Sequence, residues 1–379
     1  MARIVTVYQA TPVALDRQHG RLMPREMAYI RWFRMSEELA RLGHQVDMAV
    51  PDELATGATR EAGFEAPALQ QVPISAIRWR DYDVVKTEFH KGFEALERFG
   101  GTDHPFIISH LSATVAAEDR DGIAFFGETR SRLYATQTRV ERHSRVISLL
   151  TPPAGDLWEE CFGSRERVII VPGAADRELP PPTRDPYPHD GQRKILFAGN
   201  VYSPHSQPEA HDVVIGKLNR LGRLLGEAGA RLYMMGNGDL SRLDQRHVTV
   251  LGTLPYPDTW DYFHFADVGV VVVPWGFLHN NESTKIYSYL RAGLPVVSEA
   301  GFPNDHVVRE SGLGIVAESG DLEGMAQRTL EAAFREWDRQ AGIDYVLRNH
   351  TWTVRAEIYD RLLRGIAPSF AAAANAETR

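Results

Sequence analysis

The chain has 379 residues, 43% of them apolar, which suits two globular domains with sizeable cores better than one. Lys and Arg number 42 against 50 Asp and Glu, and the resulting charge of −8 gives a nucleic-acid partner no electrostatic support. The single cysteine, Cys161, excludes an intrachain disulfide and suits a reducing cytoplasm, and no apolar run approaches the roughly 20 residues that span a bilayer.

Met1-Ala2-Arg3 leads straight into a predicted strand over 3–8, which reads as a start without a secretory leader. A loop with Gly20 and Pro24 follows, then a helix over about 25–42 that stops at Gly43, then a strand over 44–50. Further strand-like runs lie at 82–86, 106–109, 145–150 and 168–171, mostly separated by helical segments. Strands alternating with helices imply a parallel, doubly wound sheet. The proline-rich run Glu178–Pro188 sustains neither helix nor ladder, so 177–192 reads as the linker after a first domain over 1–176. The pattern then restarts in a second domain over 193–351. A strand at 194–199 precedes a helix at 210–228, and strands at 231–236, 248–251 and 268–273 follow. Residues 368–379 read as a frayed tail. The fold class is α/β, two doubly wound Rossmann-like domains facing a cleft at the carboxyl ends of their strands.

The most informative stretch runs from Asn280 to Val297. Ser283 suits a helix N-cap, where its hydroxyl would accept a hydrogen bond from an orphan N–H of the first turn. Ile286, Tyr289 and Leu290 give apolar positions at helical spacing, Gly293 suits a left-handed stop, and Leu294-Pro295-Val296-Val297 opens a buried strand. Lys285 is the odd residue, because the macrodipole disfavours a cation in the first turn. An anion between the lysine and the free N–H groups would make sense of it, as phosphates do at helix N-termini. A solvated surface lysine is the alternative.

Several pieces in order resemble one family. Glu38-Leu39-Ala40-Arg41-Leu42-Gly43-His44-Gln45-Val46 resembles its "LaxxGHxV" turn, and Ile195–Asn200 resembles the strand and glycine that open its nucleotide domain. Met235-Gly236-Asn237-Gly238 resembles its "GxG" loop, and Val250–Pro255 its "vxflGxv" strand. Lys285–Val297 resembles "KxxEYxxxGxPVV", and Thr351-Trp352 its closing helix, here 352–367, which in such folds crosses back onto the first domain. The chain resembles the GT-B-fold glycosyltransferases, closest to retaining family 4 and to bacterial glucuronosyltransferases of exopolysaccharide synthesis. That resemblance implies a nucleotide-diphosphate sugar of UDP or GDP type as donor and a glycan, lipid-linked or small-molecule acceptor. It also implies retention of configuration and no metal or other cofactor.

The implied chemistry needs positioned donors for the charge that grows on the leaving β-phosphate. Lys285 is assigned to the diphosphate, with Ser283, Thr284 and the neighbouring Glu282 beside it and the backbone of Gly199 and Asn200 opposite. By resemblance Gly236, Gly238 and Leu254 flank the nucleobase. Trp275 either walls the donor site or packs under a loop. Asn200 and, roughly, Ser206 stand where family 4 usually places a phosphate-gripping arginine and lysine, and Ser288 replaces its ribose-binding glutamate. Such losses also suit a catalytically silent GT-B-like binding or scaffold protein.

His110 ends the strand run 105–110 and resembles the histidine that family 4 sets beside the donor sugar; a loop histidine bonded to backbone is the alternative. His90 follows another strand end, and either imidazole suits acceptor binding or proton transfer near neutral pH. Asp81-Tyr82-Asp83 superficially resembles a metal-binding "DxD", but it precedes its strand and reads as a turn. No cluster of His, Cys, Asp or Glu has convincing metal-ligand spacing. Helix 25–42 interleaves Arg25, Arg31 and Arg34 with Met27, Tyr29, Trp32 and Phe33. That composition fits peripheral contact with an anionic inner membrane face, or else amphipathic packing with solvated arginines. A nicotinamide oxidoreductase would need a glycine fingerprint after the first strand, where Tyr8–Ala14 has none.

Overall fold

The structure is a computed structural model that describes residues 1–8, 15–16, 21–22, 27–52, 69–116, 129–205, 207–274 and 280–377. Trp275, Ser206 and Arg25 lie outside the described residues, as do Gly20 and Pro24. The chain divides into two compact units, one from residues 1–120, 131–172 and 352–379, the other mainly from 173–351.

The first unit runs β1 (Arg3–Val7), a two-residue antiparallel pair β2 (Leu15–Asp16) and β3 (Arg21–Leu22), α1 (Met27–Arg41), β4 (Gln45–Val50) and β5 (Leu69–Pro73). It continues with β6 (Val84–Glu88), α2 (Phe89–Arg98), β7 (Ile107–Leu111), α3 (Arg130–His143), β8 (Val146–Leu149), α4 (Pro152–Phe162) and β9 (Val168–Ile170). Seven strands form a parallel sheet in the order β5-β4-β1-β6-β7-β8-β9. β6 and β7 are buried at every residue, as strands covered on both faces must be. α1 stops where Gly43 turns left-handed at φ +96, with its N–H on Ala40 and that of His44 on Leu39. His44 then accepts from the Ala2 N–H through Nδ1 at 3.2 Å and reaches Asp360 through Nε2 at 2.9 Å.

Asp360 belongs to the last helix, α11 (Trp352–Glu377), which lies in this same unit. Thr353 donates to Glu38 at 2.9 Å, and the Tyr359 hydroxyl meets Ser148 at 2.7 Å. The helix extends through 368–377, where a frayed tail was expected. β5 is absent from the sequence reading because Leu69-Gln70-Gln71-Val72-Pro73 is a sheet edge with no alternation to detect.

The second unit runs β10 (Arg193–Ala198), α5 (Pro208–Glu227), β11 (Ala230–Met235), β12 (Val248–Gly252), α6 (Tyr256–Phe265), β13 (Val268–Val271) and α7 (Thr284–Arg291). Then come β14 (Val296–Glu299), α8 (Asp305–Glu310), β15 (Gly314–Ala317), α9 (Leu322–Phe334) and α10 (Arg339–Asn349). Its sheet is again parallel, in the order β12-β11-β10-β13-β14-β15. Each face carries its own apolar layer, one around Trp260, Tyr287 and Tyr289, the other around Leu218, Leu221 and Met234. Strand order reverses between β10 and β13, and open sheets bind ligands beyond the strand ends at such a point. The run 177–192 is irregular and lies on this unit: Tyr187 is buried, bonded to the Tyr262 carbonyl at 3.0 Å and edge-on to Tyr233.

Candidate functional site

Beyond β10 and β11 the two segments stay hydrogen-bonded to each other for a few more residues. Gly199 donates to the Met235 carbonyl at 2.8 Å, Val201 to Asn237 at 2.9 Å, and Gly236 to Gly252 at 2.8 Å. Gly236 and Gly238 hold φ of +139 and +114, and a Cβ on either would fall 1.9 Å from the carbonyl oxygen of Gly199 or Val201. Only glycine fits there. Leu254, half-buried, packs on the apolar layer just past β12, and Thr253 is exposed. Asn200 is exposed.

The N-terminus of α7 belongs to the same set of strand ends. Lys285 stands in its first turn, and a Cβ on Gly199 would lie 2.3 Å from Lys285 Cε and 2.9 Å from Nζ. The missing side chain at 199 is therefore the space the lysine occupies. Nζ also sits 5.4 Å from the centre of the Phe197 ring, a cation–π contact. Among the described residues no carboxylate or hydrogen-bond acceptor meets this ammonium. The side chain keeps partial contact with solvent, but its charged end is enclosed deeply enough that desolvation lowers its pKa from 10.5 to about 8. Lys285 is thus neither an ordinary surface lysine nor a partner in an ion pair.

Ser283 occupies the N-cap position but does not cap. Its φ and ψ of −98 and 106 are those of a cap, yet its hydroxyl accepts nothing from the first turn. The reason is a competing grip: the Asn304 side chain accepts from the Ser283 N–H at 3.0 Å and donates to its carbonyl at 2.9 Å. Among the described residues Ser283 Oγ is left buried and unpartnered. Glu282 is engaged inside the unit, accepting from the Gly173 N–H and, at 2.9 Å, from the Tyr287 hydroxyl. Its carboxylate holds α7 to the start of the unit, so the hydroxyl donors nearby fall to Ser283 and half-buried Thr284. Ser288, half-buried, follows Lys285 by three residues and so shares its helix face. Tyr289 is wholly buried, and its hydroxyl accepts from the Ala198 N–H at 2.6 Å, tying α7 to the end of β10.

In the first unit His110 is wholly buried at the end of β7. Its Nδ1 meets Ser148 at 2.9 Å and Arg31 at 3.4 Å, and among the described residues Nε2 has no partner. Burial first, then the charges of Arg31 and Lys86, push its pKa well below 6.5, so it is neutral at pH 7. Glu88, at the end of β6, pairs with Lys86 and lies 3.7 Å from Arg31. Phe89 follows at φ +57, a rare conformation for a bulky residue, and its ring meets that of His110 edge-on at 5.4 Å. His90, half-buried, is the next residue, in the first turn of α2. The structure therefore groups His110, Phe89 and the Glu88 ion cluster in one unit, and Lys285, Gly199, Ser283, Gly236 and Gly238 in the other.

The membrane expectation for α1 changes. Arg31, Trp32 and Phe33 of α1 are each at most 3% exposed, and Arg31 donates to the carbonyls of Val171 and Pro172, so these residues cannot touch a membrane. Arg34 is paired with Glu37 at 2.9 Å. Asp81 and Asp83 flank a turn, Asp83 capping the Arg3 N–H at 2.7 Å, and among the described residues no group of acids, His and Cys could hold a metal ion. Sequence reasoning also missed Asn304 and the Arg31–Glu88–Lys86 cluster. Neither belongs to a motif, and both are visible only as partners.

Solved structures share this architecture along nearly the whole chain. Sucrose-phosphate synthase of Thermosynechococcus elongatus is 13% identical with a TM-score of 0.67, covering 97% of this chain and 100% of its own. HepE of Anabaena in complex with UDP-glucose is 12% identical at TM-score 0.64, covering 96% and 100%. AviGT4, a glycosyltransferase of avilamycin A biosynthesis, is 15% identical at TM-score 0.60, covering 96% and 97%. The fold is GT-B. Residues 192–333, within the second unit, match the family described as Glycosyl transferases group 1. No curated protein matches the chain by sequence. Among the described residues no helix of this GT-B chain is long and apolar enough to cross a membrane.

Proposed function

We propose that the protein is a hexosyltransferase that moves a sugar from a nucleotide-diphosphate sugar, of UDP or GDP type, to a hydroxyl of a glycan, lipid-linked or small-molecule acceptor. The observation that carries this reading is Lys285, an enclosed ammonium without a counter-charge among the described residues, in the first turn of α7 beside the glycine loops of β10 and β11. An unpaired buried cation is costly, and an anionic ligand is what would repay it. Among the solved structures of this fold, HepE is seen with UDP and with UDP-glucose.

As the sugar leaves, charge grows on the β-phosphate, and in this reading Lys285 with the Thr284 and Lys285 N–H groups stabilises it. No step requires a metal, and retention of configuration rests on fold analogy. The neutral imidazole of His110 is able to accept a hydrogen bond or proton from a sugar hydroxyl, and His90 is a second candidate on the acceptor side. We place the protein in the cytoplasm, at the inner membrane face if the acceptor is lipid-linked.

The test is binding and slow hydrolysis of UDP-glucose, GDP-mannose and UDP-glucuronate without acceptor, with and without a chelator. Turnover of one donor, unchanged by the chelator, is expected. Loss of turnover with chelator and recovery with a divalent ion would overturn metal independence. Asn200 and Ser288 stand where charged side chains would strengthen donor binding, which favours a silent nucleotide-sugar-binding protein as the second reading. Binding without any hydrolysis or transfer would establish it.

A further inference from the structure

We infer that Asn304 is a positioning residue for the donor phosphates: by gripping the backbone of Ser283 it does the work of a helix cap and frees the Ser283 hydroxyl to bind the anion. This rests on the function proposed above.

The comparison lies within the chain. Three other helices have N-cap side chains that behave in the ordinary way. Thr151 accepts from Ala154, Asp321 from Gly324 and Asp338 from Ala341, each at the third residue of its helix. At α7 the corresponding N–H, that of Ile286, is taken by the Ser283 carbonyl at 3.3 Å instead. Asn304 meanwhile stands at the N-cap of α8 without capping it. Its neighbour Asp305 holds the incoming turn, accepting from Gly301 at 2.8 Å and Phe302 at 3.2 Å. Two residues of the best capping types, Ser283 and Asn304, thus both decline the job they are suited for. One grips the other.

Asn304 is 2% exposed, and its two bonds to Ser283 fix which way the amide faces, since the flipped amide would set donor on donor and acceptor on acceptor. The turn before α7 is therefore held without spending the serine hydroxyl. Among the described residues Ser283 Oγ is buried with no partner, and nothing accepts from the Thr284 or Lys285 N–H. A buried idle hydroxyl costs stability unless something outside the protein uses it. One hydroxyl and two N–H groups at a helix start, with an ammonium two residues on, form a donor set for phosphate oxygens.

The experiment measures UDP and inorganic pyrophosphate affinity by calorimetry, with melting curves, for wild type, Ser283→Ala, Asn304→Ala, Asn304→Asp and the double variant Ser283→Ala/Asn304→Ala. Ser283→Ala removes no protein hydrogen bond, so its melting temperature should hold while pyrophosphate affinity falls about tenfold, the loss of one hydrogen bond to a charged group. Asn304→Ala should lose at least as much affinity. Asn304→Asp keeps the acceptor for the Ser283 N–H but not the donor, and should fall between them. Because Asn304 acts through Ser283, the double variant should bind no more weakly than Asn304→Ala alone. Additive losses, or Ser283→Ala binding like wild type, would overturn the inference while wild-type binding left the donor site intact. If wild type bound neither UDP nor pyrophosphate, the proposed function itself would fall, and this inference with it.

Discussion

Replacing Lys285 by Met should make the protein more stable and nearly inactive. Burial lowers the lysine pKa from 10.5 to about 8, which is worth at most about 3.4 kcal/mol of destabilisation. Partial solvent contact discounts that to roughly 1–2 kcal/mol. Met keeps the aliphatic stem against Phe197 and Gly199 and removes only the charge. The sign follows from proton linkage. The folded lysine gives up its proton at about pH 8, the unfolded one at 10.5, so the penalty is fully present below 8 and fades as pH rises toward 10.5. The variant should therefore melt a few degrees above wild type at pH 7, at about 2–4 °C per kcal/mol for a unit of this size. That margin should close by pH 10. Saturating UDP should restore the wild type's deficit but do little for the variant. Donor turnover should fall about a hundredfold or more, the scale of one lost transition-state donor. A variant less stable than wild type at pH 7, or a difference that did not change with pH, would falsify the enclosed, unpaired state of this ammonium.

Gly199→Ala should displace the flexible end of Lys285, whose Cε would lie 2.3 Å from the new Cβ, so UDP affinity drops while the melting temperature barely moves; a large loss of stability would show that backbone, not the lysine, gives way. Tyr289→Phe should cost about 1–3 kcal/mol by chemical denaturation, because the Ala198 N–H loses its acceptor in a half-buried place. His110 should resist protonation: its folded pKa is depressed, so the unfolded chain takes up the proton first and stability should fall as pH drops below 6.5. An imidazole titrating near 6.5 by NMR in the folded protein would contradict this.

Much of the second unit was legible because its signals are local. Gly293 at φ +71 ends α7 and Val296–Glu299 is buried throughout, as a left-handed stop before an apolar run demands. The glycines of the loop after β11 are required by the close approach of Gly199 and Val201, a steric reason the sequence names only by its residue type. The state of Lys285 was half legible. Its place in a first turn is a sequence fact, but its enclosure involves Phe197 and Gly199, nearly ninety residues away in the chain. In the first unit, Arg31, Trp32 and Phe33 looked like a basic aromatic surface. Arg31 is instead spent on the Val171 and Pro172 carbonyls, contacts no helical pattern encodes.

The misreading of Ser283 has the same origin and a sharper consequence. A serine before a helix is read as a cap because that is the local use of its hydroxyl, and local use is what sequence rules describe. Asn304 overrides it from twenty-one residues downstream, and nothing in either residue's neighbourhood announces the exchange. Where a strong local preference is refused and the refusal costs stability, the structure is holding a group for something other than its own folding. Lys285 meets the same criterion, an ammonium in a first helical turn, enclosed and, among the described residues, without a counter-charge. Two independent departures from cheaper folding fall within three residues of each other, and one kind of ligand, an anion, would relieve both.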